Sequence, residues 1–507
     1  MSEIPSRPLP GVRVASGRTT TSDHTTPPGH APAAGSFLVT RSPEPGRAPR
    51  GHAVEARAST RGGRSVVEVE VDATAPRPGW AGAVDVGIGY RRAGAAVARH
   101  LRDARHADEL VVSVPGQVPV GRVGDLVLGY LLGARGQDVF AARPEPVAPD
   151  LVVEVSPGAD GGSESRDDDE AVVSAAVAAA VDAARATALA RDLAGAPADL
   201  KTPEWLVSRM SEALTAAGMQ AHVIEGEELE ESGFGGVLAV GGGSAAAPRV
   251  LVARRPGTGP RVLLVGKGIT FDTGGISVKP AEGMHLMRTD MGGSAAVVAA
   301  AAAFCADDRD GYAGLDLTVV VPSAENMLSG SAYRPGDVVT HVGGTTSEVT
   351  NTDAEGRMVL ADALAHGIAE CDPDVVVDVA TLTGAMKVAL GMRTGAVMAT
   401  DDDLADRVSQ AGAGAGERWW RLPLPDNLRG AVSSTIADRR QAPKGPGAIT
   451  AALFLEGFVD GRPWAHLDIA GPARSPEEID EVGPVATGFA TRTLLGLLRG
   501  LVDRPRA

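Results

Sequence analysis

Cysteines, aromatic residues and long apolar runs are all scarce in this sequence. Two cysteines, Cys305 and Cys371, are too few for a disulfide framework, and both lie in apolar, helix-like segments, so we expect buried free thiols. Aromatic residues make up only 3% of the chain. No stretch approaches the roughly 18 unbroken apolar residues typical of a membrane span, and the N-terminal region has no apolar signal segment. We therefore expect a cytoplasmic protein with no membrane partner.

Several familiar catalytic motifs are also missing. The sequence contains no H-E-x-x-H motif, no Cys/His zinc spacing, no Walker A loop and no G-x-S-x-G elbow. Its formal charge of −16 opposes loose binding to nucleic acid, because the long-range field has the wrong sign. The chemistry of this chain must therefore depend on other residues.

Composition divides the 507 residues into four parts. Residues 1–64 are rich in Pro, Gly, Ser, Thr and Arg with little apolar periodicity, which predicts a disordered extension. Alternating apolar segments in 65–160 predict a small N-terminal α/β domain. Residues 161–194 are interpreted as a linker loop and a connecting helix, and 195–507 as the catalytic domain.

The C-terminal part alternates between strand-like and helix-like segments. The strand-like segments RVLLVGKG, LDLTVVVPS, PDVVVDVAT and WAHLDIAG are short and almost wholly apolar. This pattern predicts an α/β fold of two domains, the larger C-terminal one with a mostly parallel sheet flanked by helices. Functional residues in such sheets gather beyond the C-terminal ends of the strands.

Charged residues follow these strands in three segments of the sequence. The charged residues are Lys267, Asp272 and Lys279 in VGKGITFDTGGISVKP, Asp290 in MHLMRTDMGGSAA, and Asp353, Glu355 and Arg357 in NTDAEGRMVLADAL. If the four carboxylates converge, they repel one another, and two divalent cations would cancel their charge. A lysine is a ligand only when it is neutral. Of the three cations, two would then remain to face negative charge on a substrate.

A simpler interpretation of the same residues stays open at this point. A lone Asp near Gly is usually a turn or a helix cap, and a lone Lys–Asp pair is usually a surface ion pair. The spacing alone does not show that the three segments meet in space. From the pattern, a carboxylate metal site is a hypothesis.

Taken together, the three segments closely resemble the leucyl aminopeptidase family, the cytosolic dinuclear-metal aminopeptidases. Further matching segments are ENMLSGSAYRPGDVV, VATLTGAM, GAITAALFLEGFV and WAHLDIAGPA, and the resemblance runs from about residue 191 to 492. It implies a metal-dependent aminopeptidase that releases N-terminal residues from peptides. The implied nucleophile is a water or hydroxide between two divalent ions, Mn²⁺ or Zn²⁺.

The resemblance also implies a role for each charged residue. The implied metal ligands are Lys267, Asp272, Asp290, Asp353 and Glu355, with Asp272 and Glu355 shared by both ions. Lys279 would polarise the substrate carbonyl, and Arg357 would hold a bicarbonate that shuttles protons. The free α-amine of the substrate would bind one ion, which restricts cleavage to the first peptide bond.

The implied substrate pocket is apolar. The matching positions are Met287, Thr381, Gly384, Ala470 and Ala473, and the backbone of Leu382 would align the peptide. This pocket favours leucine and other apolar N-terminal residues, and the small Ala473 is expected to admit a larger side chain.

The resemblance further implies a homo-hexamer. Two alternatives stay open. One is a narrower dipeptidase-like specificity, for example for cysteinylglycine. The other is an additional architectural DNA-binding role, against which the acidic net charge argues.

Overall fold

The computed structural model describes residues 8–16, 36–37, 54–61, 64–71, 86–104, 109–114, 118, 120–137, 140–142, 146–155, 163–307 and 314–502. The chain forms two compact units. One is Met1–Arg185 with Glu477–Gly483, and the other is Ala186–Pro476 with Pro484–Ala507. Both are α/β, as expected from the sequence.

The first unit contains a four-stranded parallel sheet with strand order β1-β6-β5-β2. Its elements are β1 (Val12–Ser16), β2 (Ser36–Phe37), β3 (Val54–Arg61), β4 (Arg64–Val71), α1 (Val86–Ala104), β5 (Glu109–Val114), α2 (Val123–Gly133), β6 (Asp150–Val155) and α3 (Ser163–Gly195), which leads into the second unit. Strands β3 and β4 form an antiparallel hairpin. Helices α1 and α2 approach closely, since a Cβ at Gly129 would lie 1.9 Å from the Arg91 carbonyl oxygen.

The structure differs from the sequence-based expectation at two places in this unit. Within 1–64, which we expected to be disordered, it describes residues 8–11, strands β1, β2 and β3, and the first residue of β4, and the rest of that segment lies outside the described ranges. The short VRVAS segment of β1 gives only a weak local signal, and its partner β6 is more than a hundred residues away. The polar segment after residue 160, expected as a loop, is helical from Ser163, because Ser, Asp and Glu are compatible with the first turns of a helix.

Helix α3 is long and apolar, and we compared it with the expectation that the chain has no membrane span. By length and composition alone, its segment Asp169–Gly195 is sufficient to cross a membrane. However, Val173, Val177, Ala180 and Ala184 follow one another at helical spacing and are buried in the apolar core of the first unit. One face of the helix is therefore buried in the first unit, and length and composition alone are weak evidence for a membrane span.

The second unit contains a nine-stranded sheet with strand order β16-β15-β18-β14-β9-β11-β8-β7, and β10 pairs with β11. The strands of this unit are β7 (Gln220–Glu225), β8 (Arg249–Arg255), β9 (Arg261–Gly266), β10 (Gly268–Asp272), β11 (Asp316–Asn326), β12 (Val338–Thr340), β13 (Thr346–Glu348), β14 (Val375–Ala380), β15 (Thr394–Ala399), β16 (Arg418–Arg421), β17 (Arg439–Arg440), β18 (Trp464–Asp468), β19 (Arg474–Ser475) and β20 (Val485–Ala486). The central pairs β18–β14, β14–β9, β9–β11 and β10–β11 are all parallel, whereas β15–β18, β11–β8 and β8–β7 are antiparallel. The prediction of a mostly parallel sheet is confirmed for its centre.

Helices connect these strands and cover the sheet. They are α4 (Pro203–Ala216), α5 (Glu227–Glu231), α6 (Gly235–Gly241), α7 (Gly292–Cys305), α8 (Glu355–Cys371), α9 (Gly384–Leu390), α10 (Asp402–Ala415), α11 (Gly447–Glu456) and α12 (Thr491–Leu501). Cys305 and Cys371 end α7 and α8, and both are free and buried, as expected. All six residues of β14 are buried, as is typical of a strand between covered faces.

Close backbone packing brings the start of α7 against the ends of the central strands. A Cβ at Gly293 would lie 2.0 Å from the Val379 carbonyl oxygen of β14, and a Cβ at Gly266 would lie 2.5 Å from the Ser294 Cα atom. Only glycine permits this approach. As a result, Asp290, just before α7, lies over the carboxyl ends of β9 and β14.

A buried polar network joins β14 to β18. Asp378 accepts hydrogen bonds from the Trp464 Nε1 atom at 2.7 Å and lies 2.6 Å from the His466 Nδ1 atom. All three side chains are fully buried. Because Asp378 is the shared acceptor, both partners depend on its carboxylate.

We expect Asp378→Ala to destabilise the protein strongly. The substitution leaves the Trp464 and His466 side chains buried without their acceptor, and removal of one partner from a buried pair typically costs about 3–5 kcal/mol. The midpoint of urea unfolding measures this loss. A matched control is Asp426→Ala, since Asp426 is 95% exposed beside Arg429 and its loss should hardly move the midpoint. Equal shifts in the two variants would contradict this account of the network.

Candidate metal centre

The charged residues singled out in the sequence converge at one edge of the large sheet. Lys267 follows β9, Asp272 ends β10, Asp290 precedes α7, Glu355 opens α8 and Thr381 follows β14. The central strands are parallel, so their carboxyl ends meet at this edge. The structure therefore brings these residues together in space, and the metal site expected of them stays a prediction.

Lys267 lies between two of the carboxylates. Its Nζ atom is 2.7 Å from Asp290 Oδ2 and 2.7 Å from Glu355 Oε1, and it donates a hydrogen bond to the Thr381 carbonyl oxygen at 3.2 Å. Burial disfavours the charged ammonium, but the carboxylates of Asp290 and Glu355 more than offset this effect and raise the pKa of Lys267 above its usual value. The lysine is therefore protonated while these carboxylates are its only counter-charges.

Lys279 joins the other two carboxylates. Its Nζ atom is 2.7 Å from Asp272 Oδ2 and also contacts Asp353 Oδ1. The second oxygen of Asp272 accepts hydrogen bonds from the Gly274 amide and the Asn326 Nδ2 atom, both at 2.8 Å. Although burial opposes it, the Asp272 carboxylate raises the pKa of Lys279. Asp272 is thus oriented on one side by neutral donors and on the other by a cation.

The pKa values of the carboxyl groups are shifted because these groups lie close to one another and are removed from water. Burial, together with Glu355 and Asp290, raises the pKa of Asp272 well above its usual range, and burial raises the pKa of Asp290 to about 6. For Glu355, burial is outweighed by Lys267 and Lys279, which lower its pKa. Four carboxylates thus share two lysines in one space, in which Asp353 and Lys279 are partly exposed, and the charge balance of this space depends on both lysines.

These residues fit divalent cations. One carboxylate oxygen from each of Asp272, Asp353 and Glu355 lies within 4.8 Å of the others. The Glu355 Oε2 atom is buried and has no hydrogen-bond partner among the described residues. A buried carboxylate oxygen without a donor is costly unless a cation binds it. Oxygen-rich sites of this kind suit Mg²⁺, Mn²⁺ or Zn²⁺.

Arg357 occupies a different environment. It is the third residue of α8, and its Nη1 atom donates to the Gln441 carbonyl oxygen at 2.7 Å. Burial lowers its pKa to about 10, against the opposing effect of Glu355 and Asp468. Its side chain is buried close to the carboxylates but does not line the cavity beside them.

A cavity of about 240 Å³ opens beside the carboxylates. It is lined by all six residues expected in the substrate pocket, namely Met287, Thr381, Leu382, Gly384, Ala470 and Ala473. A Cβ at Gly292 would lie 3.5 Å from the Ala473 Cβ and 3.6 Å from the Thr381 Cγ2, so the segments after β14 and β18 meet here. The structure thus brings the expected pocket positions together next to the charged cluster.

Four further residues lie at this site that the sequence analysis missed. Lys387 and Arg474 line the cavity, Thr383 also lines it and caps α9, and Asn326 orients Asp272. Lys387 lies one helical turn after the pocket position Gly384, and Arg474 directly follows Ala473. Those spacings were the available signals, but neither shows by itself that the side chain reaches the cavity.

The fold and this cluster define the second unit as an α/β domain with a candidate metal centre. A family model described as the cytosol aminopeptidase family, catalytic domain, matches residues 188–495. The chain therefore belongs to the cytosol aminopeptidase family, the group of leucyl aminopeptidases that its motifs resemble. It is a metal-dependent aminopeptidase that acts on peptides.

Individual relatives agree with this family. A "Probable cytosol aminopeptidase" of Syntrophotalea carbinolica is 41% identical over 425 residues, covering 80% of this chain and 82% of the relative. Another "Probable cytosol aminopeptidase", of Rhodococcus opacus, is 42% identical over 392 residues, covering 75% of this chain and 74% of the relative. Among solved structures, the bottromycin maturation enzyme BotP in complex with Mn is 39% identical, with a TM-score of 0.78, covering 93% of this chain and all of that one. A mutant tomato leucine aminopeptidase is 25% identical, also with a TM-score of 0.78, covering 97% and 96%.

We expect Gly356→Ala to damage the metal centre selectively. A Cβ at this position would lie 2.6 Å from the Lys267 Cε atom and 2.8 Å from its Nζ atom, so the lysine must move away from Asp290 and Glu355. The expected result is less bound metal per chain, measured by elemental analysis after dialysis against a fixed Mn²⁺ concentration, with the circular dichroism spectrum retained. Gly500→Ala in α12 is the control, because nothing lies within 4 Å of the added Cβ. Wild-type metal content in Gly356→Ala would show that Lys267 does not need this space.

Proposed function

We propose that this protein removes N-terminal amino acids from peptides with two divalent ions held by Lys267, Asp272, Asp290, Asp353 and Glu355. The observation that supports it most directly is the cluster itself, in which four carboxylates, three of them buried, contact two lysines and the buried Glu355 Oε2 atom lacks a donor. When bound, such ions polarise a carbonyl and lower the pKa of a water molecule. Mn²⁺ and Zn²⁺ are the ions we propose, and the Mn complex of BotP supports the former.

The positions of the five ligands suggest how they divide. Lys267 and Asp290 lie together, which suits them to complete the ligand set of one ion, whereas Asp353 lies on the side of Lys279 and would serve the other. Asp272 and Glu355 lie between these groups and would be shared. Lys267 must lose its proton to act as a ligand, so its present ion pairs represent the protonated form of the site.

Lys279 is proposed to act on the substrate carbonyl. Its side chain is 20% exposed, the cavity reaches it, and its ammonium group carries a positive charge at the edge of the carboxylate cluster. Once cations balance Asp272 and Asp353, the lysine is released from those ion pairs. It can then donate to the oxygen on which negative charge develops during attack.

Arg357 is proposed to hold a bicarbonate that shuttles protons. One of its nitrogens, Nε, is buried without a hydrogen-bond partner among the described residues, so the guanidinium has a donor available for an anion. Its Nη1 atom is fixed by Gln441, which limits where that donor points. The remaining cation of the cluster would thus serve proton transfer.

The shape of the cavity supports a preference for leucine and other apolar N-terminal residues. Met287, Ala470 and Ala473 contribute apolar surface, and a Cβ at Gly384 would meet nothing within 4 Å. The small Ala473 leaves room for larger side chains. We further propose a cytoplasmic homo-hexamer, as the family resemblance implies.

The first test is hydrolysis of a leucine anilide by the purified full chain. We expect activity to disappear after chelation and to return when Mn²⁺ or Zn²⁺ is added, because the carboxylates need the ions both for charge balance and for chemistry. The control is circular dichroism before and after chelation, to confirm that the protein stays folded. A folded protein with no activity in either metal would overturn the proposed function.

The role of Lys279 is tested by Lys279→Met. Loss of the ammonium should lower kcat by about 100-fold or more, the range seen when one donor to a developing oxyanion is removed. Bound metal should stay near the wild-type amount, since Lys279 is not proposed as a ligand. Lys444→Met, an exposed lysine outside the cavity, controls for loss of a positive charge. If metal is lost together with activity, Lys279 belongs to the metal site instead.

A further inference from the structure

The cavity contains more positive charge than the proposed reaction uses. Its lining includes four acidic residues and four basic ones. Lys267 and Lys279 contact all four carboxylates between them. The other two basic residues, Lys387 and Arg474, form no ion pair with any acidic side chain within the described part of the chain.

Lys387 lies on the wall expected to meet the substrate side chain. It is one turn of α9 after Gly384, and residues three apart on a helix share a face. The side chain is half-buried, and a Cβ at Gly384 would point into open space. Lys387 therefore lines the same cavity as Gly384.

Arg474 borders the same space from the segment after β18. It directly follows Ala473, and its side chain is half-buried. Burial lowers the pKa of its guanidinium, an effect opposed by the carboxylate of Asp290. Arg474 thus faces the metal-side carboxylates across the cavity without a fixed partner among the described residues.

Backbone packing holds these two cations around one pocket. The Gly391 amide donates to the Lys387 carbonyl oxygen at 2.9 Å and closes α9. A Cβ at Gly471 would lie 2.2 Å from the Gly391 carbonyl oxygen and 3.6 Å from the Met386 sulfur. The segment that contains Ala473 and Arg474 is therefore packed against the end of the helix that contains Lys387.

Metal binding would leave these cations in excess. Two divalent ions would balance the four carboxylates, and Lys267 would be neutral as a ligand. Lys279 is assigned to the substrate carbonyl, which leaves the charges of Lys387 and Arg474 uncompensated in a partly buried cavity. An anionic group on the substrate would restore the balance, and carboxylates bind lysine and arginine by charge-assisted hydrogen bonds.

We infer that the cavity recognises a substrate carboxylate, the side chain of an N-terminal glutamate or aspartate, through Lys387 and Arg474. This inference rests on the proposed aminopeptidase function and extends its apolar specificity to acidic residues. The C-terminal carboxylate of a dipeptide has the same chemistry. The side chain is the assigned source because the two cations flank Gly384 and Ala473, the positions that line the side-chain pocket.

The test compares α-glutamyl and α-glutaminyl anilides with the metal-loaded full chain. The two substrates have nearly the same size and differ in charge. We expect the wild type to prefer the glutamyl substrate in kcat/KM, and Lys387→Met and Arg474→Met each to lower that preference by about 10-fold, mainly through KM, because each removes a charge-assisted hydrogen bond. Arg393→Met removes one exposed positive charge just beyond α9, outside the cavity, and should keep the wild-type preference.

A binding measurement provides a second readout that needs no turnover. Calorimetric titration of the metal-loaded protein with L-glutamate and with L-glutamine should show tighter binding of glutamate. Lys387→Met and Arg474→Met should reduce this difference, and Arg393→Met should not. Equal binding of the two amino acids by the wild type would overturn the inference.

Two further results separate the possible failures. Hydrolysis of the leucine anilide with no preference for glutamyl over glutaminyl would overturn the carboxylate inference and leave the proposed function intact, whereas no hydrolysis of any anilide would count against both. A second comparison measures hydrolysis of the dipeptide Leu-Gly and of its C-terminal amide, which differ in the C-terminal carboxylate. Suppose that Lys387→Met and Arg474→Met abolish a preference for Leu-Gly over its amide but leave the preference for the glutamyl over the glutaminyl anilide unchanged. The carboxylate would then not be that of the side chain, and the assignment would be wrong.

Discussion

The second unit depends on one electrostatic constraint, the crowding of four carboxylates in a single space, three of them buried and Asp353 partly exposed. Such a cluster is unfavourable unless cations of matching charge lie among its members. In the structure described here, Lys267 and Lys279 provide that charge, each within contact of two carboxylates. The same arrangement suits divalent ions, which would displace the lysines from their ion pairs and leave one as a ligand and the other facing the substrate.

The fold meets this constraint through close backbone packing. The parallel central strands bring their carboxyl ends to one edge, and glycines allow α7 and α8 to approach it. Gly293 permits contact with the Val379 carbonyl, and Gly356 leaves room for the Lys267 side chain. The proposed ligands therefore come from strand ends and helix starts that the sheet holds in fixed positions, which suits a site where small displacements matter.

The proposed reaction and the proposed specificity use different parts of this site. The chain belongs to the cytosol aminopeptidase family, and we assign the chemistry of that family to the carboxylate cluster. We assign substrate choice to the walls of the cavity, where apolar residues from two segments meet two cations that form no ion pair within the described residues. Lys387 and Arg474 give this pocket a charge that its apolar positions alone do not indicate.

The sequence by itself determined the features that local patterns encode: alternating apolar strands and helices, a mostly parallel central sheet, and three charged segments whose motifs identify the family. Only the tertiary structure decided which distant residues meet. It pairs β1 with β6, directs Asn326 to Asp272, turns Arg357 toward Gln441, and brings Lys387 and Arg474 to one cavity. The physical reason is range: periodicity reports the environment along a few residues of one element, whereas these contacts join segments dozens of residues apart, whose proximity depends on the order of strands in the sheet.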